Sequence, residues 1–175
     1  MPKELLSVAD IKGLIRALRS VFGYITKFKS KYLLAKKIKY PQIPGILAES
    51  LAMHLLTDGT ILPELIGSTF MFGGQIADIL AQRNGNTLKI EIKSTGHSAF
   101  QQLGEKDICA DYLIWFHFDT FFMEPNSTSI EIYLLRAPEK YLKSFKKPIK
   151  KKLTSLKKLV GPAMEMTTFD VSVLS

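Results

Sequence analysis

Three charged side chains near the middle of the chain have types and spacing suited to chemistry on a phosphate. Glu91 and Lys93 stand two positions apart in the apolar run LKIEIKST (88–95), and Asp78 interrupts QIADIL (75–80) between Ala77 and Ile79. Side chains alternate along a strand, so Glu91 and Lys93 project from one face while Ile90 and Ile92 project from the other. An aspartate inside an apolar strand is costly unless it is paired or liganded. Two readings follow. Asp78 and Lys93 form a structural ion pair, or Asp78 and Glu91 are hard oxygen ligands for a divalent ion such as Mg²⁺, which completes its shell with water and substrate phosphate.

The elements that must position these residues are legible in part. Asn84-Gly85 between two apolar runs is a strong hairpin signal, and it pairs the strand carrying Asp78 with the strand carrying Glu91 and Lys93. Upstream, STFMF followed by Gly73-Gly74 predicts a further strand and a break or bulge. PGILAESLAMHLL predicts a helix from Pro44 to about Thr57 that carries Glu49. Before it, three-to-four spacing from Leu5 to Phe22 predicts a helix, and a second amphipathic stretch after Gly23 continues to Pro41. Downstream, SAFQQLGEKDICA predicts a helix capped by Ser98, DYLIWFHF a strand buried on both faces, and SIEIYLLR another strand. EKYLKSF and KKKLTSLKKLV predict basic amphipathic helices, and TTFDVSVLS a short final strand.

The composition fits one domain over residues 1–175, with an N-terminal helical region (1–43), a core (44–135) and a basic C-terminal helical region (136–175). No run approaches the roughly 18 uninterrupted apolar residues of a membrane span, and acids follow the N-terminus at once, unlike a secretory leader. A soluble, cytoplasmic protein without a membrane partner is expected. Cys109 is the only cysteine, so no internal disulfide or structural zinc is expected, and its expected role is that of a small buried apolar side chain. Lys and Arg number 24 against 16 Asp and Glu, a formal charge of +8. That excess favours an anionic partner. It is concentrated at Lys27, Lys29, Lys31, Lys36, Lys37 and Lys39, and again over residues 140–158, two acid-free segments that suit phosphate contacts.

Asp78, twelve intervening residues, then Glu91-Ile92-Lys93 resembles the signature of the PD-(D/E)xK nuclease superfamily, with Ala77 where the motif usually has proline. The order of helix with Glu49, Asp strand, ExK strand, helix and apolar strand is similar to the restriction-endonuclease-like core over about residues 44–135. The resemblance implies an α/β fold with a mixed central β-sheet flanked by helices. It also implies a Mg²⁺-dependent DNA endonuclease (Mn²⁺ substituting) that leaves 5′-phosphate and 3′-hydroxyl ends. Asp78, Glu91 and the carbonyl of Ile92 would hold the metal, Lys93 would orient and help deprotonate water, and Glu49 would be an auxiliary acid. His97, Ser98 and Gln102 become candidates for a neighbouring DNA phosphate. A type II restriction endonuclease acting on double-stranded DNA as a homodimer is the first reading, with the N-terminal helices as the dimer interface. A Holliday-junction resolvase or other structure-selective nuclease would use the same residues. A non-catalytic nucleic-acid-binding subunit and a membrane-surface role for the polybasic C-terminal segment are rivals from other classes.

His54 and His117 read as structural histidines, Asp111 as a turn acid, and Trp115 with Phe116, Phe118, Phe121 and Phe122 as core.

Overall fold

The computed structural model describes residues 4–96, 100–145 and 148–174. Helix α1 spans Val8–Lys31 and opens on a capping box, in which Ser7 Oγ accepts from Asp10 N while Asp10 Oδ2 accepts from Ser7 N. It runs straight through Gly23. The cost of one glycine, about 1 kcal/mol, is outweighed by burial of Ile11, Ile15, Leu18 and Phe22. The second amphipathic stretch is only a 3₁₀ turn, Leu34–Lys37, and it leaves Leu33 and Leu34 exposed. Helix α2 spans Gly45–Thr57, as the entry proline predicts.

Six strands form the central mixed sheet: β1 (Thr69–Phe72), β2 (Ile79–Arg83), β3 (Asn86–Gly96), then β5 (Tyr112–Asp119), β6 (Ser129–Arg136) and β8 (Met164–Asp170), in the spatial order β1-β2-β3-β5-β6-β8. All neighbours are antiparallel except β3 and β5, which are parallel. The β2–β3 turn has φ of 49° at Asn84 and 78° at Gly85, the two positive values that a two-residue hairpin turn of the I′ type requires.

The sheet separates two cores. Ile79, Ile90, Ile92, Ile114, Phe116 and Ile132 face α1 and α2, where Phe118, Phe121 and Phe122 complete the apolar layer. Leu113, Trp115, Tyr133 and Leu135 face the other way, against α3 (Glu105–Ile108), α4 (Glu139–Leu142) and α5 (Leu153–Val160). Trp115 is fully buried, and its indole N–H donates to Thr95 Oγ1 at 2.8 Å. The aromatics of the DYLIWFHF region are therefore core, as alternation predicts.

The segment 98–109 departs from the expected helix. Strand β4 (Phe100–Leu103) precedes α3, and β4 pairs antiparallel with β7 (Ile149–Lys152) as a separate two-stranded ribbon. The C-terminal region is likewise not wholly helical, since it contributes β7 and β8 as well as the short helices. Strand β8 lies within 164–170, so the expected last strand begins earlier and forms the sheet edge. Non-local pairing decides these cases, and helical periodicity cannot report it. Cys109, at the end of α3, is exposed and not buried. Among the described residues, no helix is long and apolar enough to cross a membrane.

Asp78 is delivered by a tight loop in which Gly73 N donates to Asp78 O and Ile76 N donates to Gly73 O. A Cβ on Gly73 would meet Ala77 O at 2.7 Å and Leu80 Cγ at 3.0 Å. Gly73→Ala is expected to destabilise the protein by about 1–3 kcal/mol, read as a lower urea midpoint at unchanged slope.

Candidate active site

Strand alternation and register bring Asp78, Glu91 and Lys93 together on the sheet face crossed by α3. The β2–β3 ladder begins at Ile79↔Ile90, so Asp78 stands just beyond its end, and Asp78 Oδ2 accepts from Ile92 N at 2.9 Å. The carboxylate thus satisfies a backbone donor that no ladder partner from β2 reaches. Glu91 and Lys93 lie beside Leu113 and Trp115 of the parallel neighbour β5, on the face opposite Ile90 and Ile92.

Two residues that sequence reasoning passed over complete the cluster. Lys106 Nζ lies 3.2 Å from Asp78 Oδ1 and 3.1 Å from Glu91 Oε2, so one cation spans both carboxylates. Lys93 Nζ lies 2.7 Å from Asp107 Oδ1, and Asp107 Oδ2 accepts from Gly104 N at 2.6 Å. The expected alternative of an Asp78–Lys93 pair is therefore replaced by two other pairs. The sequence signal is GEKD, with adjacent opposite charges, of which Asp107 alone is buried, where α3 packs on the face that carries Glu91 and Lys93.

Glu91 is fully buried, and its Oε2 meets the Lys106 ammonium at 3.1 Å. Burial first, then the charge of Asp78 and contact with Asp107, push the Glu91 carboxyl up to about 8, while Lys106 pulls the other way. Burial works against the charged Lys106 ammonium, but contact with Glu91 and the negative charge of Asp78 outweigh it and raise its pKa.

The donor set suits a divalent cation. Two carboxylates, one of them fully buried, already converge on one positive centre. Among the described residues no group of three or more His, Cys, Asp or Glu side chains is placed to hold a metal ion. A two-carboxylate site is the kind Mg²⁺ uses when water and substrate phosphate supply the remaining ligands.

The other expected residues fall elsewhere. Glu49 is half-buried on the first turns of α2, which packs through Leu47, Leu51 and Leu55 against the opposite sheet face from Glu91 and Lys93. Gln102 is exposed on β4. His97 and Ser98 lie outside the described residues. His54 Nε2 contacts Leu6 O, and His117 Nδ1 contacts Thr95 Oγ1, as structural histidines would. Asp111 Oδ2 accepts from Lys89 N at 2.7 Å, so it ties the start of β5 to β3 and makes no local turn bond there.

Beyond Lys93, the end of β3 opens on a cleft of about 540 Å³. Lys29, Lys36, Lys37 and Lys39 line one side and Ser94–Gly96 with Phe100 the other. The first basic segment is thus gathered beside the strand that carries Glu91 and Lys93. Comparison with protein-family models, curated proteins and solved structures gives no significant match to this chain.

Proposed function

We propose that the protein is a Mg²⁺-dependent DNA endonuclease of the PD-(D/E)xK type, with a restriction endonuclease as the first reading. The observation that carries this is the convergence of Asp78 and Glu91 on a single cation position, with Lys93 projecting from the same face of the next turn of the pleat. The order α2–β1–β2–β3–β4–α3–β5, with β3 parallel to β5, keeps the expected helix, hairpin and parallel strand with β4 added before α3, and supports the same reading.

Asp78 and Glu91, with the Ile92 carbonyl, would hold Mg²⁺, which supplies Lewis-acid charge at the scissile phosphate and a more acidic bound water. Lys93 orients the attacking water, and its positive charge, with that of the metal, would favour loss of the water's proton to solvent. The water oxygen forms the new P–O bond, the bond to O3′ breaks, and O3′ takes a proton, leaving 5′-phosphate and 3′-hydroxyl ends. Asp107 holds the lysine near its working position through the 2.7 Å contact. Lys106, about half exposed, occupies the position the metal would take between the carboxylates and would then be available to a substrate phosphate. Glu49 serves as an auxiliary acid only through a second ion or a bridging water, because its helix belongs to the other layer. The lysines of the cleft neutralise flanking phosphates of double-stranded DNA, and cutting both strands favours a homodimer.

The test is a digest of linear duplexes of varied sequence alongside four-way junctions, in Mg²⁺. Discrete fragments from particular duplexes are expected. Cleavage confined to the branched substrate would replace the restriction reading with a structure-selective one.

A further inference from the structure

The ribbon β4–β7 stands apart from the main sheet, and its two faces differ. Phe100 pairs with Lys152 and Gln102 with Lys150 across the ribbon, and all four are exposed, whereas Leu103 and Ile149 are buried on the other face. Neither strand carries an acid. We propose that the exposed face of this ribbon reads base edges in the major groove of duplex DNA, an inference that rests on the nuclease reading above.

The chemistry of the four side chains matches the groove. A glutamine amide can donate and accept together on adenine, a lysine donates to guanine O6 and N7, and an aromatic side chain makes apolar contact with the thymine methyl group. Two paired strands are about 4.8 Å apart, and the major groove, about 12 Å wide, admits such a ribbon. The positive charge of Lys150 and Lys152, with Lys151 between them, complements the flanking phosphates.

The ribbon is also tied to the site. Gln101, on its inner side, donates from Nε2 to Ser94 O at 2.6 Å, one residue beyond Lys93 on β3. That bond sets a fixed distance between the residues that would read and those that would cut. Phe100 borders the lysine-lined cleft, so reading face and phosphate-binding wall share one edge. Pairing with β7, which periodicity did not predict, is what turns Gln102 and Lys150 into neighbours.

The experiment is selection of bound sequences from a randomised duplex pool by the full-length protein, with Ca²⁺ replacing Mg²⁺ to suppress cutting. Wild type is compared with Gln102→Ala, Lys150→Ala and, as a backbone-contact control, Lys36→Ala, all checked for folding by circular dichroism. Wild type is expected to enrich a defined sequence. Gln102→Ala and Lys150→Ala are each expected to lose roughly 5- to 150-fold discrimination at one base position while still binding the pool. Lys36→Ala is expected to weaken all sequences together. Ribbon variants that enrich the wild-type sequence with undiminished discrimination would overturn the inference and leave the nuclease reading standing. A wild type that binds and cuts DNA with no base preference would do the same. A wild type that neither binds nor cuts would overturn the nuclease reading itself.

Discussion

Lys93→Ala is expected to lower Mg²⁺-dependent cleavage by about 10²–10⁴-fold, the range for losing a group positioned at the proton-transfer step. The same change carries a second, separable cost. Lys93 and Asp107 are both largely buried, and removing the lysine leaves the Asp107 carboxylate without its cation. Breaking a buried pair in this way costs roughly 3–5 kcal/mol. Adding Asp107→Asn removes the stranded charge, so the double variant should recover most of the thermal stability while remaining inactive. Recovery of cleavage together with stability would assign Lys93 to folding alone. Thermal melts and single-turnover digests of the same three proteins make the comparison.

Glu91 links pH, stability and metal binding in one direction. Its carboxyl is pushed up to about 8 from an ordinary value near 4.5, by burial first and by Asp78 next. The folded chain therefore keeps a proton that the unfolded chain releases between those values. Stability contributed by that proton is fully present below about pH 4.5 and is lost as pH rises through about 8. At about 1.4 kcal/mol per pH unit, the loss reaches a few kcal/mol at alkaline pH, moderated by the exposed Lys106. Wild type should melt at falling temperature from pH 5 to 9, and Glu91→Gln should lack that component. Mg²⁺ or Mn²⁺ should restore wild-type stability at the alkaline end, bind more tightly up to about pH 8, and release up to one proton on binding near pH 7. Glu91→Gln should bind the metal at least about tenfold more weakly, having lost a charged oxygen ligand. A wild-type melt that tracks Glu91→Gln across pH, with equal metal affinity, would contradict this linkage.

Local rules made half of the site legible. Alternation aimed Glu91 and Lys93 together, and Asn84-Gly85 folded Asp78 back toward them, because both effects act within a few residues. Lys106 and Asp107 sit on a single helical turn too short to carry a periodic signal, and their pairing with Asp78, Glu91 and Lys93 comes from where α3 lies on the sheet. The β4–β7 ribbon escaped for a related reason. Its strands are separated by α3, β5, β6 and α4, and alone the first reads as part of a Ser98-capped helix and the second as part of a basic amphipathic helix. Cys109 is exposed although cysteine is a commonly buried type, because it stands at the end of α3. By contrast, the α2 boundaries and the buried aromatic strand β5 follow from a capping proline and a continuous apolar run, signals strong enough to survive tertiary context.

The most direct measurement is nicking of supercoiled plasmid by the wild type, Asp78→Asn and Lys93→Ala, each with Mg²⁺ or with EDTA, followed by end-group analysis of the product. Asp78→Asn keeps an oxygen that can accept from Ile92 N while removing the charge, so its fold is preserved. The predicted result is nicking by wild type in Mg²⁺ only, with 5′-phosphate and 3′-hydroxyl ends, and a loss of at least about 10²-fold in both variants. Equal absence of nicking in all three proteins, with DNA binding intact, would contradict it and make Asp78, Glu91, Lys93, Lys106 and Asp107 a structural charge network in a nucleic-acid-binding protein.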